Sequence, residues 1–467
     1  MSGLRYAAVV AVGICVGGAA IATTAATANA ARSAAVPDIV HIQPGVHRVG
    51  RATAAPLTTA QCEAQFRIAC YGAPQMQRAY DLPALFAEGV RGQRQTIVIV
   101  DSFGSPTIAR DLRVYDETYH LPAPPSLRVI QPAGAVHWKA NGTDEGWAGE
   151  TTLDVEAAHT IAPAANILLV ETPVSEEEGT TGFPQIVTAE KYVIDHHLGG
   201  VISQSFSATE QTFPTAQSLL RLRGAYLDAA RKGVTVLAAS GDSGAADVMF
   251  NEVDYYLHPV TSWPDSDPLV TGVGGTQLHL DAAGRHTRPD TVWNDTYNVP
   301  TQEYIFGDAG PNPLAGGGGK SIIFSRPSYQ NRVRSVVGPS RGVPDISMSG
   351  ACNGAMNIYQ SFPGQPVGWY PTCGTSEATP LFSGIVALAD QVAHHPLGVI
   401  NPALYRLSAR HAPGVVDVTS GNNTVSFPQG GKIHTVHGFA ATKGYDLASG
   451  VGTVDARYFV LELARSR

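Results

Sequence analysis

Four short apolar runs punctuate the first half of the chain: QTIVIVD (95–101), NILLVET (166–172), GVISQSF (200–206) and GVTVLAAS (233–240). Unbroken runs of this length, rich in β-branched residues, predict strands buried on both faces. Between them, residues at about 148–161, 185–197 and 215–231 carry helical spacing. Strand, helix and strand in this rhythm predict a parallel sheet with helices on both faces. Ligands of such sheets sit at the carboxyl ends of the strands, and Asp101, Ser205 and Asp242 all lie at or just past those ends. Beyond residue 270 the pattern loosens into Gly-rich loops, followed by one strong helix from about 377 to 393. There is no internal repeat.

The N-terminus changes the picture of where the chain works. Arg5, the apolar run YAAVVAVGICVGGAAIA and the small-residue site Ala28-Asn29-Ala30 read as a signal peptide over residues 1–30. Ile14 before Cys15 is too large for a lipoprotein cleavage site. Residues 31–60, rich in Ala, Pro and Thr, form a short N-terminal segment, and 61–467 the main domain. A secreted, extracellular protein follows, with no membrane association once the signal is removed. Removal of Arg5 takes the formal net charge from −8 to −9, a balance that argues against a nucleic-acid partner. Four cysteines remain, Cys62, Cys70, Cys352 and Cys373, an even number that suggests two disulfides. Proximity favours Cys62–Cys70 and Cys352–Cys373, although three pairings are open. The second would tether the loop that carries Ser376. No C-x2-C or H-E-x-x-H spacing supports zinc. GGGGKS (316–321) lacks the leading glycine of a phosphate loop, because Leu314 stands there.

The chemistry-bearing residues then come into focus. In CGTSEATPLFSG, Ser376 stands at a predicted helix start, where it reads equally as a nucleophile or as an N-cap. A histidine base of the usual kind would lie within an H-G-T sequence, and the chain has none. Instead GETTLDVEAAH places Glu150 and Asp154 at i and i+4, two carboxylates on one helical face. Such a pair holds one proton to higher pH than the other, so a carboxylate base in an acidic medium becomes available. A solvated helix face is the plainer reading. Asp242 in LAASGDSGA reads as a turn residue or, protonated, as a hydrogen-bond donor to an oxyanion.

In combination these stretches resemble the sedolisin family, the serine-carboxyl peptidases of subtilisin-like fold. The resemblance runs from about Cys70 to the C-terminus through TIVIVDSFGSP, GETTLDVEAAHTIAPAANI, VLAASGDSGA, LVTGVGGT, RGVPDIS and GTSEATPLFSG. It implies a three-layer αβα fold around a seven-stranded parallel sheet. It further implies peptide hydrolysis at acidic pH through an acyl-enzyme, by a monomer acting on protein or peptide substrates. Ser376 would be the nucleophile, Glu150 the base, Asp154 the residue orienting Glu150, and Asp242 the oxyanion donor. VVDVTSGNN and ATKGYDLASGVG match the family's structural calcium site, implying one ion held by Asp417 and Asp446 and by the carbonyls of Val418, Thr442 and Gly444. Two features depart from the pattern. Asp101 and Phe206 stand where some members have Glu and Trp, and only about 30–50 residues precede the catalytic region where a long propeptide is usual. The competing readings are a subtilase using Asp101, a histidine and Ser376, and a secreted binding module that keeps the scaffold without catalysis.

Overall fold

The computed structural model describes residues 47–466, so the signal-peptide reading and most of the short N-terminal segment fall outside it. In chain order the elements that matter here are β1 (His47–Arg48), β2 (Thr96–Ser102), β3 (Leu127–Ile130), α1 (Gly142–Ile161), β4 (Asn166–Thr172), α2 (Phe183–Asp195), β5 (Val201–Gln204) and α3 (Gly224–Lys232). They continue with β6 (Thr235–Ala239), β7 (Thr271–Gln277), β8 (Ile346–Ser349), β9 (Ala355–Gln360), β10 (Gly368–Cys373) and α4 (Thr375–Ala393).

The expected sheet is present. Seven parallel strands run in the order β3-β4-β2-β5-β6-β7-β8, and Thr291–Val292 adds a short antiparallel pairing to the end of β7. Along β2, Ile97 and Ile99 enter one core and Val98 and Val100 the other. This is why the strand reads as continuous apolar sequence rather than as alternation. On the first side lie α1 and α4, with Leu153, Val155, Leu381 and Ile385. On the second lie α2 and α3, with Phe183, Ile186, Val193 and Tyr226. The result is three layers.

Two expectations need correcting. The helix expected at 215–231 is broken into Ala216–Leu220, a 3-10 turn at Arg221–Arg223, and α3. The break falls just before Gly224, a poor helix former. The stretch after residue 270 is also more ordered than its composition suggests. It supplies β7 and β8 of the main sheet and the antiparallel pair β9–β10. β7 is TGVGGTQ, and with three glycines in seven residues it carries almost no strand signal.

Both disulfides follow the proximity pairing, Cys62–Cys70 and Cys352–Cys373. The second ties the loop after β8 to the end of β10, three residues before Ser376. Helices α1 and α4 approach closely at Gly384, where a Cβ would lie 2.5 Å from Ile161 Cβ and 3.2 Å from the Ala158 carbonyl. Gly384→Ala should therefore force the two helices apart and cost about 1–3 kcal/mol, read as a lower thermal midpoint in the Ser376→Ala background.

Candidate active site

The end of β10 delivers the chain into α4 through Gly374, whose φ of +134° is disfavoured for residues with side chains. Thr375 and Ser376 then form the first turn of α4, both fully buried. Asp242 is docked on that turn. Its Oδ1 accepts from the Thr375 amide and from the Thr375 hydroxyl, each at 2.7 Å. The amide of Gly241 in turn donates to Thr375 Oγ1 at 3.2 Å. Two donors on Oδ1 leave Oδ2 as the oxygen that carries the proton whenever this carboxyl is neutral, and Oδ2 makes no hydrogen bond of its own.

Helix α1 presents Glu150 and Asp154 to the same region, both wholly out of water. The Asn141 side chain starts this helix by accepting the Asp144 amide at 2.9 Å, and Asp144 and Glu145 suit its positive end. The Ser376 hydroxyl lies beside Glu150 and lowers its pKa, although neither Glu150 oxygen nor Ser376 Oγ closes a well-aligned hydrogen bond. Burial is the larger influence and pushes Glu150 well above the ordinary carboxyl range, with Asp101 and Asp242 adding to the rise and Ser205 opposing it. Asp154 is raised by burial, then by Asp101 and Glu150. Its Oδ1 is held by the Ser205 hydroxyl at 2.9 Å. Asp101, paired in register with Glu171 across β2 and β4, is pushed up to about 7, by burial first and then, in part, by the Glu171 charge. The physical cause is common to all three: an ionised carboxylate without water or a cation is costly, so the set holds its protons to higher pH than free carboxyls and ionises one group at a time.

All four expected catalytic positions thus gather at the carboxyl ends of β2, β5 and β6. Ser205 is a partner that the sequence did not single out for Asp154; its only signal was its place one residue past a strand. Phe206 packs edge-on to Phe183 at 6.3 Å and donates nothing. Two further groups arrive from an unexpected direction. His47 Nε2 lies 3.3 Å from Asp242 Oδ2, and the Arg48 guanidinium lies within electrostatic range of Glu145 and Glu150. By contrast His159, the histidine on α1, is sequestered by Asp116 at 3.1 Å and by the Pro122 carbonyl at 2.9 Å.

The residues expected to hold calcium also converge. Asp417 Oδ2 accepts from the Gly444 amide at 2.9 Å, and Asp446 Oδ2 from the Thr442 amide at 2.8 Å. The two carboxylates thereby bracket the turn 442–444. Asp446 is buried, its pKa raised by that burial and lowered only by neutral donors, with no cation among the causes. Two carboxylates bracketing a backbone turn offer oxygen donors of the kind that fit a hard divalent cation.

The sequence profile of the subtilase family matches residues 133–430. The chain belongs to the subtilase family, within its sedolisin group. Kumamolisin of Bacillus sp. (strain MN-32) is 33% identical over 382 residues, covering 79% of this chain and 60% of that protein. Sedolisin of Pseudomonas sp. (strain 101) is 29% identical over 313 residues, covering 67% of this chain and 48% of that protein. This member of the subtilase family therefore spans roughly half to three fifths of the relatives' length. Among solved structures, Pseudomonas sedolisin, a serine-carboxyl proteinase complexed with two molecules of pseudo-iodotyrostatin, superposes with a TM-score of 0.66 at 24% identity. That likeness covers 84% of this chain and 98% of that one, and it shows the shared fold. Among the described residues no helix is long and apolar enough to cross a membrane.

The buried acids set the sign of the pH response of this subtilase. Their folded pKa values lie above those of the unfolded chain, about 4. Their contribution to stability is complete below that value and is lost as pH rises through the folded pKa, which for Asp101 is about 7. The thermal midpoint, measured in Ser376→Ala, should fall between pH 4 and pH 7. Asp101→Asn should flatten that slope.

Proposed function

We propose that the protein is an exported serine-carboxyl peptidase that cleaves peptide bonds in acid through Ser376, Glu150, Asp154 and Asp242. The observation that carries this reading is the buried carboxyl set around the Ser376 hydroxyl, with one Asp242 oxygen fixed as acceptor and the other making no hydrogen bond. Glu150 takes the Ser376 proton as Oγ attacks the scissile carbonyl. The oxyanion accepts from the Oδ2 proton of neutral Asp242, which spares it bulk water. Collapse of the tetrahedral intermediate passes the Glu150 proton to the leaving amine and leaves an acyl-Ser376. Water, deprotonated by Glu150, then releases the acid. Asp154, fixed by Ser205, orients Glu150 and shares its proton load.

Such a mechanism needs Glu150 ionised and Asp242 protonated at once, so activity should be confined to an acidic window. The competing reading, a histidine base, draws support from His47 beside Asp242, and it requires activity at neutral to alkaline pH rather than in acid. Cleavage of a quenched peptide across pH 3–8 separates the two. Ser376→Ala should lose at least about 10³-fold in kcat, and Glu150→Gln about 10²–10⁴-fold, both with unchanged circular dichroism. Asp242→Asn keeps a donor at every pH, so it should retain activity and extend the basic limb upward. Near-normal turnover by Glu150→Gln refutes the assignment.

One calcium ion held by Asp417, Asp446 and the carbonyls of Val418, Thr442 and Gly444 completes the proposal. Its chemistry would be structural, neutralising a buried carboxylate and fixing the turn 442–444. Chelation should lower the thermal midpoint, added calcium should restore it, and Asp446→Asn should abolish the response.

A further inference from the structure

The segment that precedes the first helix is strapped along the edge of β10. His47 and Arg48 pair antiparallel with Cys373 and Thr372. The Val49 amide donates to the Pro371 carbonyl at 2.8 Å, and Thr53 and Trp369 exchange both of their hydrogen bonds. Because the pairing is antiparallel, the end of the strap nearest the nucleophile is its N-terminal end, and His47 sits opposite Cys373, three residues before Ser376. Two consecutive basic side chains thus face the carboxyls of the site, the first beside Asp242 and the second within electrostatic range of Glu145 and Glu150. His47 Nε2 stands 3.3 Å from Asp242 Oδ2, the very oxygen that the mechanism needs free. Arg48 lies over the rings of Phe362 and Tyr370, at 5.6 and 5.8 Å, and feels the charge of Glu150.

We propose that His47–Arg48 is a built-in clasp, an intramolecular occupant of the β10 edge and of Asp242 Oδ2 that an extended substrate segment must displace. The inference rests on the peptidase reading given above. Its physical basis is competition: a peptide that adds a strand to an exposed edge uses the same main-chain groups that β1 already occupies. The clasp is anchored but not locked. Val49 is fully buried in a small core with Cys352 and Cys373, which fixes the hinge. Ahead of that hinge, Nε and Nη2 of Arg48 are buried with no hydrogen-bond partner, and His47 closes no aligned hydrogen bond to Asp242. Unsatisfied donors of this kind weaken the closed state, so a well-matched strand can lift it.

The test uses the full chain and an internally quenched octapeptide at pH 4. His47→Ala, at a largely buried position that belongs to none of the hydrophobic cores, should lower KM about two- to fivefold with little change in kcat. His47→Arg, which keeps a cation beside Asp242, should not. In Ser376→Ala, saturating octapeptide should speed amide exchange at residues 47–49. An unchanged or raised KM in His47→Ala overturns the clasp, since a strap that formed part of the substrate site would give that result. Should wild type and Ser376→Ala alike fail to cleave, the peptidase reading fails, and exchange alone decides: no acceleration at residues 47–49 overturns the clasp as well.

Discussion

Asp101, Glu150 and Asp154 are carried out of water together, and burial is the largest influence on each. Charging any one of them in that environment costs several kcal/mol unless a donor or a counter-charge compensates. Only hydroxyls compensate here, from Ser376, Ser205 and Thr151. The rest of the design follows from this debt of charge. The groups must be held rigidly enough that they cannot swing back to solvent, and the fold does so by burying the helix that bears two of them.

That rigidity comes from layer packing. Helix α1 packs on the sheet and side by side with α4 on the same face, so Glu150 and Asp154 face inward along a helix that is buried on its other sides as well. The close approach at Gly384 brings the helix that carries Ser376 onto the helix that carries Glu150. At the far end, the Thr375–Asp242 contacts lock the first turn of α4 to the loop after β6. Three elements distant in sequence thereby meet with side-chain directions fixed by backbone hydrogen bonds rather than by loop conformation.

The strands were legible because burial on both faces writes an unmistakable run, as in TIVIVDS, and the long helices because they continue for three turns or more. β7 was not, since TGVGGTQ trades its side chains for close packing. The helix at 215–231 was overread because helical spacing continues through the Arg221–Arg223 turn. Glu150, Asp154, Asp242 and Ser376 could be picked out by residue type and spacing, joined by a family resemblance. Ser205 could not be assigned to Asp154, because a hydroxyl one residue past a strand has no periodic signature. His47 and Arg48 were invisible for a stronger reason: their role depends on a pairing across more than 300 residues with β10, and two-residue strands leave no pattern at all.

The register that sets Asp101 opposite Glu171 has a consequence for how any titration of this protein should be interpreted. Glu171 sits nearer the rim, held by Gln131 at 2.7 Å, so the acids form a linked row rather than an isolated pair. In a linked row protons are held in common, and each measured inflection belongs to the ensemble of microstates. A change at Asp101 would then displace the midpoint attributed to Glu150 without any altered contact at Ser376. The acidity of the site is a collective property, distributed along two neighbouring strands and one helix.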